Sequence, residues 1–479
     1  MILAKKIFTL LAIILLSILN VPGKSKKPNI IYILADDLGY ADISCYGQEK
    51  FQTPHIDQLA KEGMCFMQHY SGSTVCAPSR SSLLTGQHTG HTPIRGNKPF
   101  EPEGQFSMKA STITIAEVLK EEGYTSGAFG KWGLGFVGQP GDPIEQGFDE
   151  FYGYNCQRIA HKYYPTHLWH NNKKITLEGN ELKNTAFYAQ DIIHNEAVQF
   201  IEDNKDAPFF LYIPYLIPHA ELIVPMDSLY KKYEDKWEEK PFINPKGDYG
   251  NPEVKLEKYC SVEKPRATFA AMVNRLDNYV GEVVAKVEEL GLTDNTIIMF
   301  ASDNGPHDSG GADPEFFNSN GPFRGIKRDL YEGGIRTAFI VKWPGTVEAN
   351  TSSNHVSAFW DVLPTLADIA HANVPVQVNG ISFLPTLKGN THKQQQHEYL
   401  YWEFHEKGGS QAIRMGNWKA VKLKVKKKPD VAIELYDLEK DPGETKDVAE
   451  ENPDLVGRMK EIFNEARIET NDFPFITTK

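Results

Sequence analysis

Residues 29–35 read NIIYILA, an uncharged, Ile-rich run of strand length that ends abruptly in Asp36-Asp37. It shows no alternation of apolar and polar positions, so it reads as a strand buried on both faces. Such a strand needs a parallel sheet with helices on either side, and the chain alternates accordingly. Helical patterns cover 54–62 (Thr53 as cap, Pro54 at the first turn), 114–122 (stopped by Gly123), 186–204, 266–290 (ended by Gly291) and 359–370. Strand patterns cover 126–129, 209–213 (FFLYI), 296–301 (TIIMFA) and 338–341. The fold class expected is α/β, a large mostly parallel sheet sandwiched by helices. From about residue 385 the texture changes. A polar, Gln-rich stretch at 391–398 reads as a linker, followed by short strands at 399–404, 411–415, 418–424 and 434–437 and a helix at 453–468. That is a small C-terminal antiparallel sheet with one helix. The division expected is 24–385 and 386–479, preceded by a separate segment, 1–23.

Segment 1–23 carries Lys5 and Lys6, an apolar run from Ile7 to Leu16, then Pro22 and Gly23. These are the proportions of a secretory signal peptide rather than a membrane span. The expectation is an exported protein, periplasmic or extracellular, with no stable membrane anchor. The 63 Asp+Glu against 51 Lys+Arg give a formal charge of −12, which disfavours nucleic acid as a partner. Positive charge for an anionic substrate must then be concentrated locally. Five cysteines are too few, and odd in number, for a disulfide framework, leaving one free for a separate task.

In an open parallel sheet, sites form beyond the carboxyl ends of the strands. Here those ends are polar. NIIYILA meets Asp36-Asp37, TIIMFA meets Ser302-Asp303-Asn304-Gly305, FFLYI meets Pro214–His219, and the short strand at 126–129 meets Gly130-Lys131-Trp132. Asp36, Asp37, Asp303 and Asn304 offer hard oxygen donors, which suit Ca²⁺ or Mg²⁺ better than zinc.

The stretch Cys76-Ala77-Pro78-Ser79-Arg80, continued by Leu84-Thr85-Gly86, resembles the signature of the type I sulfatases, formylglycine-dependent enzymes of the alkaline phosphatase superfamily. The Asp-Asp strand end, Gly-Lys-Trp, Asp-Asn-Gly, Gly325-Ile326-Lys327 before Tyr331-Glu332-Gly333-Gly334, and Trp343-Pro344-Gly345 extend the resemblance over nearly the whole chain after residue 23. The resemblance implies that Cys76 is oxidised to formylglycine by a maturation enzyme. The hydrated aldehyde would attack sulfur with one hydroxyl and expel sulfate through the other. It further implies Asp36, Asp37, Asp303 and Asn304 as calcium ligands completed by residue 76. Arg80 and Lys131 would hold the hydrate, Lys327 would contact the sulfate and leaving oxygen, and His219 would contact the sulfate and act as general acid.

Many relatives carry histidine where this chain has Gly133, in Gly130-Lys131-Trp132-Gly133-Leu134-Gly135. Either His161 or His88 replaces that side chain, or water does. Arg95, Asn97, His161, His170, His307 and His405 are the candidate contacts to the leaving group. The aromatic- and histidine-rich stretch 154–170 resembles carbohydrate-active members more than small-aryl hydrolases. The expected substrate is therefore a sulfated polysaccharide, attacked exo at galactose or N-acetylgalactosamine. The alternatives are a phosphoester or phosphonate hydrolase on the same fold, or a secreted glycan-binding relative without turnover.

Overall fold

The computed structural model describes residues 27–427 and 430–475, so the expected signal peptide lies outside the described residues. Asn29–Ala35 sits in the middle of an eleven-stranded sheet. The order across it is Thr351–Ser353, Met64–Tyr70, Arg336–Lys342, Thr296–Ser302, Asn29–Ala35, Phe209–Pro214, Thr125–Lys131, Glu150–Tyr154, His167–His170 and Lys173–Thr176, with Ser357–Ala358 also pairing Met64–Tyr70. The five central strands from Thr296–Ser302 to Glu150–Tyr154 are mutually parallel. Arg336–Lys342 runs antiparallel to both its neighbours, and His167–His170 with Lys173–Thr176 closes the far edge as an antiparallel pair.

Burial of the central strand on both faces follows from its pattern. Ile31, Ile33 and Ala35 pack on one side, in the core that includes the helices Pro54–Lys61, Ala189–Asp203 and Pro265–Glu289. Ile30, Tyr32 and Leu34 pack on the other, with Cys76–Thr85, Ile115–Glu121 and Val362–Ala370. Successive side chains of a strand point to opposite faces, so two covering layers require apolar residues at every position. The helix Ile115–Glu121 starts at a full capping box between Thr114 and Glu117. Thr53, expected to cap Pro54–Lys61, does not; its hydroxyl accepts the Ser44 N–H and meets Asp57 Oδ1 instead.

Met64–Tyr70 is a strand that pattern reading missed. Its sequence, MCFMQHY, has no uniform apolar run, and Gln68 and His69 Nδ1 bond residues far along the chain while His69 Nε2 stays unpartnered. His69 is buried, stacked 4.0 Å from Phe339 and bonded to Ser357 Oγ at 2.8 Å.

The C-terminal strands Leu400–Phe404, Ser410–Met415, Trp418–Leu423 and Glu434–Asp437 form one antiparallel sheet in chain order. One face, with Tyr401, Ile413, Ala420 and Leu435, takes the helix Pro453–Glu465 through Met459, Ile462 and Phe463. The other face, with Trp402, Phe404, Ala412 and Val421, packs on Tyr70, Val75, Ile335 and Trp360 of the large sheet's layer. The expected linker is tied back rather than free, since Gln394 Oε1 accepts from Thr386 N and Oγ1 and Nε2 donates to Ser382 O.

Charge is also buried at this junction. Lys419 Nζ lies 2.8 Å from Glu332 Oε1 and 3.4 Å from Glu444 Oε1, all three side chains fully enclosed. Removing one partner of such a set leaves uncompensated charge in a medium that solvates it poorly. Lys419→Met should therefore destabilise the fold by about 3–5 kcal/mol, read as a lowered urea midpoint; an unchanged midpoint would show the ion pairs to be dispensable.

Candidate active site

Register alone brings the polar strand ends together. Ala35 pairs with Ser302 and Leu34 with Pro214, so Asp36-Asp37 and Asp303-Asn304 emerge side by side at the carboxyl edge. The Asp303 N–H donates to Ala35 O at 3.0 Å, and the Asp37 N–H donates to Asp303 Oδ1 at 3.1 Å. Asp37 sits in the left-handed region with φ of 64°, which lets the chain turn within one residue of the strand. Asn304 Nδ2 donates to Asp37 Oδ1 at 2.7 Å, while Asn304 Oδ1 is buried with no partner.

Cys76 is the first residue of the helix Cys76–Thr85, all ten residues of which are buried. Its Sγ lies 3.2 Å from Asp36 Oδ1, 4.0 Å from Asp37 Oδ1 and 3.7 Å from Lys327 Nζ. Burial, with the Asp36 charge adding to it, pushes this thiol well above its ordinary range. The unmodified residue is therefore a protonated thiol, unreactive as a nucleophile.

One turn along, Arg80 gives Nε and Nη2 to Asp303 Oδ2 at 3.0 and 2.8 Å, and Nη1 to Lys131 O at 2.6 Å. Its Nη2 is also 3.3 Å from Asp36 Oδ2. Lys131 Nζ is 2.6 Å from Asp36 Oδ2, and Lys327 Nζ is 2.6 Å from Asp37 Oδ2. Burial alone would raise Asp36 and Asp37, but the ammonium of Lys131 at the first and of Lys327 at the second hold them well below the carboxylate range. Asp303 is different: burial and the neighbouring Asp36 push it up to about 7 despite Arg80.

The donor set fits a hard cation. Three carboxylates and an amide stand at adjacent strand ends, the Asn304 amide oxygen is orphaned, and Asp36 and Asp37 crowd Asp303 beyond what Arg80 and Lys131 offset. Ligand atoms of Asp36, Asp37, Cys76 and His219 lie within 4.8 Å of one another.

Three histidine rings line the opposite wall. His219 Nε2 is 3.5 Å from Asp37 Oδ2, and its Nδ1 bonds Ala220 O, so Nε2 carries a proton only in the imidazolium form. His161 stacks parallel on His219 at 5.6 Å and meets Tyr259 edge-on at 5.5 Å. Burial, then Lys131 and Lys327, push His161 down to about 3, which keeps it neutral. His307 lies 5.9 Å from His219, with Nε2 donating to Pro218 O and Nδ1 accepting from Ser309 N.

The structure thus gathers Asp36, Asp37, Cys76, Arg80, Lys131, His161, His219, Asp303, Asn304, His307 and Lys327 at one crevice. Asn97 is next to it, but its Oδ1 accepts the Ala77 N–H, so it steadies the helix start. Four other histidine or arginine candidates belong elsewhere. Arg95 is buried and spent on Glu403 Oε1, Ile468 O and Thr92 O. His405 is bonded to Glu403 Oε1 and stacked on Phe475 at 4.4 Å. His170, on the sheet edge, reaches Glu150 Oε1 at 3.2 Å. His88 stacks on His91 and accepts from Gly90 N. Arg95 and His170 have carboxylate partners distant in sequence, which nothing local announces, whereas His405 and His88 are held by residues two or three positions away.

Asn155, Gln157 and Tyr259 went unread. Asn155 and Gln157 lie just beyond the end of Glu150–Tyr154, a strand too short to stand out; recognising it would have flagged them. No sequence signal marks Tyr259.

Gly133 has φ of 79°, and a Cβ there would fall 2.2 Å from Gln157 Nε2. Backbone and space both favour glycine at this point. Gly133→Ala should cost about 1–2 kcal/mol from the left-handed conformation, seen as a drop in the thermal midpoint that Gln157→Ala in the same chain does not restore. Full restoration would mean that only the side-chain contact mattered.

Residues 28–372 match the family model described as Sulfatase, and residues 324–469 one described as N-sulphoglucosamine sulphohydrolase, C-terminal. An N-acetylgalactosamine-6-O-sulfatase of Bacteroides thetaiotaomicron is 29% identical, over 92% of this chain and 94% of that protein. Human arylsulfatase A is 30% identical, over 91% and 87%. The solved structure of Ps i-CgsB in complex with k-i-k-neocarrahexaose is 31% identical, covers 92% of this chain and 93% of that one, and superposes with a TM-score of 0.75.

Proposed function

Because the chain belongs to the sulfatase family, and so is a sulfuric ester hydrolase, we propose that it removes sulfate from galactose or N-acetylgalactosamine units of a sulfated polysaccharide, acting at chain ends. The observation that carries the chemistry is the convergence on Cys76 Sγ of two aspartates and a lysine, backed by Arg80 and Lys131. The sugar class is supported by the relatives, one named for N-acetylgalactosamine 6-O-sulfate and another holding a neocarrahexaose.

In this reading residue 76 is converted by a maturation enzyme to formylglycine. Its hydrate would supply one hydroxyl to displace the sugar oxygen from sulfur and a second whose loss of a proton would expel the sulfate and return the aldehyde. Asp36, Asp37, Asp303 and Asn304 would hold Ca²⁺, which when bound would supply positive charge to offset the sulfate oxygens. Arg80, one turn into the helix, and Lys131, at the end of the strand Thr125–Lys131, would keep the hydrate oriented against Asp36. Lys327, 3.7 Å from the Cys76 sulfur, is placed to meet both the nucleophile and the sulfate. His219 gives a proton to the leaving oxygen as the S–O bond to the sugar breaks. The ester's own negative charge beside Nε2 favours the imidazolium that this step requires. Fixed charges in a closed site stabilise developing charge without reorganisation, which is what a slowly hydrolysing ester demands. Export through segment 1–23 completes the reading, and among the described residues no helix is long and apolar enough to cross a membrane.

Peptide mass analysis of native protein should find residue 76 about 18 Da lighter than cysteine, the aldehyde rather than a rung of the thiol oxidation ladder. Cys76→Ala should keep the fold and lose release of sulfate from galactose and N-acetylgalactosamine monosulfates. Turnover by that variant, or action by the wild type on aryl phosphate alone, would defeat the proposal.

Stripping divalent ions should abolish sulfate release and lower the thermal midpoint, and added Ca²⁺ should restore both. Removing the ion takes away positive charge that the aspartates share beyond their pairs with Lys131, Lys327 and Arg80. Full activity after exhaustive chelation counts directly against a resident ion.

A further inference from the structure

Beside the charged cluster lies a second group of polar atoms that nothing in the protein satisfies. Asn155 is 1% exposed, and neither its Nδ2 nor its Oδ1 has a partner. Gln157 is 5% exposed, and its Nε2 has none. His161 Nδ1 is also buried without one. Four unpartnered atoms on three neighbouring side chains are a costly arrangement, since buried polar groups in folded proteins are nearly always bonded.

Their position is fixed by the backbone. Gly133 N–H donates to Asn155 O at 3.2 Å, two residues beyond Lys131, whose Nζ touches Asp36. Gln157 lays its amide over Gly133, where any side chain would collide with it. The Gln157 N–H is accepted by Gln105 Oε1, from the hairpin that Pro99–Phe100 forms with Gly104–Gln105. His161 is held against His219, and the next residue, Lys162, is anchored by Glu221 at 2.8 Å and by the carbonyls of Gly247 and Lys258. The three side chains thus stand on rigid supports, Asn155 and Gln157 around Gly133, two residues past Lys131, and His161 against His219.

We propose that Asn155, Gln157 and His161 form the recognition subsite for the leaving sugar, a neutral pyranose ring whose hydroxyl or acetamido groups complete their hydrogen bonds. This rests on the sulfated-sugar reading above and names residues for it. The chemistry is selective. Two carboxamides and a neutral imidazole offer donors and acceptors without formal charge, matching hydroxyls that both give and take a proton. An aryl leaving group has no such groups and would leave every one of these atoms unpaired. A site built to bond a substrate hydroxyl discriminates strongly against analogues that lack it.

The test compares two substrates in the same holoenzyme: 4-methylumbelliferyl sulfate, and whichever galactose or N-acetylgalactosamine monosulfate releases sulfate fastest. Asn155→Leu and Gln157→Met keep shape and remove hydrogen bonding, and His161→Ala removes the ring. Each should lower the ratio of kcat/KM for the sugar sulfate to that for the aryl sulfate by about 10-fold to 100-fold, the range for one lost hydrogen bond. In a Cys76→Ala background, where nothing turns over, the same changes should weaken binding of the sugar sulfate by a similar factor. The ligand-free thermal midpoint of Asn155→Leu and Gln157→Met should hold or rise, because an unsatisfied group has been removed. An unchanged ratio, or equal losses on both substrates with a lowered midpoint, would overturn the subsite. If the wild type cleaves only the aryl ester, the sugar reading falls and this inference with it; if it cleaves sugar sulfates while the ratio stays put, only the subsite falls.

Discussion

The guanidinium of Arg80 is the common fastening of four chain segments. From the helix Cys76–Thr85 it reaches Asp303 at the end of Thr296–Ser302, the carbonyl of Lys131 at the end of Thr125–Lys131, and Asp36 at the end of Asn29–Ala35. A planar fork with five donors can do this, whereas an ammonium on a flexible stem cannot match two directions at once. Enclosing so much charge is expensive and is tolerated only when every member finds good geometry. The price is set against positional accuracy: with Arg80 locked, Cys76 one turn earlier has almost no freedom relative to the acidic strand ends.

The small C-terminal sheet holds the other side of the same helix. Trp402 Nε1 donates to Ser71 O at 2.9 Å, and Val75 lies in the apolar cluster under Trp402, Phe404 and Val421. Ser71 and Val75 belong to the loop that delivers Cys76. A second tie runs from Glu403, which takes Arg95 on the segment after the helix and Arg467 after Pro453–Glu465. The C-terminal unit is thereby a buttress for the nucleophile's loop, and the buried Lys419–Glu332 pair fastens it down.

What could be read from sequence followed from how local each cause was. NIIYILA and TIIMFA declare themselves because a strand covered on both faces must be apolar throughout, and the polar pairs that follow them mark the crevice. The helix Cys76–Thr85 carries no amphipathic stripe, being buried all round, so only its motif pointed to it. Arg95, His170 and His405 looked like ligands for a sugar because a lone polar residue in sequence shows no partner; Glu403 and Glu150 supply the partners in space. Asn155 and Gln157 failed in the opposite direction. They are ordinary loop amides until a five-residue strand is seen to end just before them, and their missing partners exist only in three dimensions.

Charge counting links the metal to the substrate. Without an ion Asp36 and Asp37 are ionised and Asp303, pushed up to about 7, is partly so, while Arg80, Lys131 and Lys327 carry three positive charges and burial pushes His219 toward its neutral form. The set is close to balanced, with at most one surplus positive charge to attract an anion into a closed pocket. The chain as a whole, at −12, adds none. On the reading proposed above, a divalent cation on the oxygen donors would draw Asp303 fully into its charged form and leave a surplus of two positive charges, enough to receive a sulfate ester and the sulfate it yields. It would also relieve Asp303, whose elevated position near 7 reflects burial and crowding by Asp36. On that reading the acidic strand ends would do two jobs through one ion: they would create the site's attraction for anions, and mainly when the ion is bound, so affinity for sulfate and affinity for metal would rise and fall together.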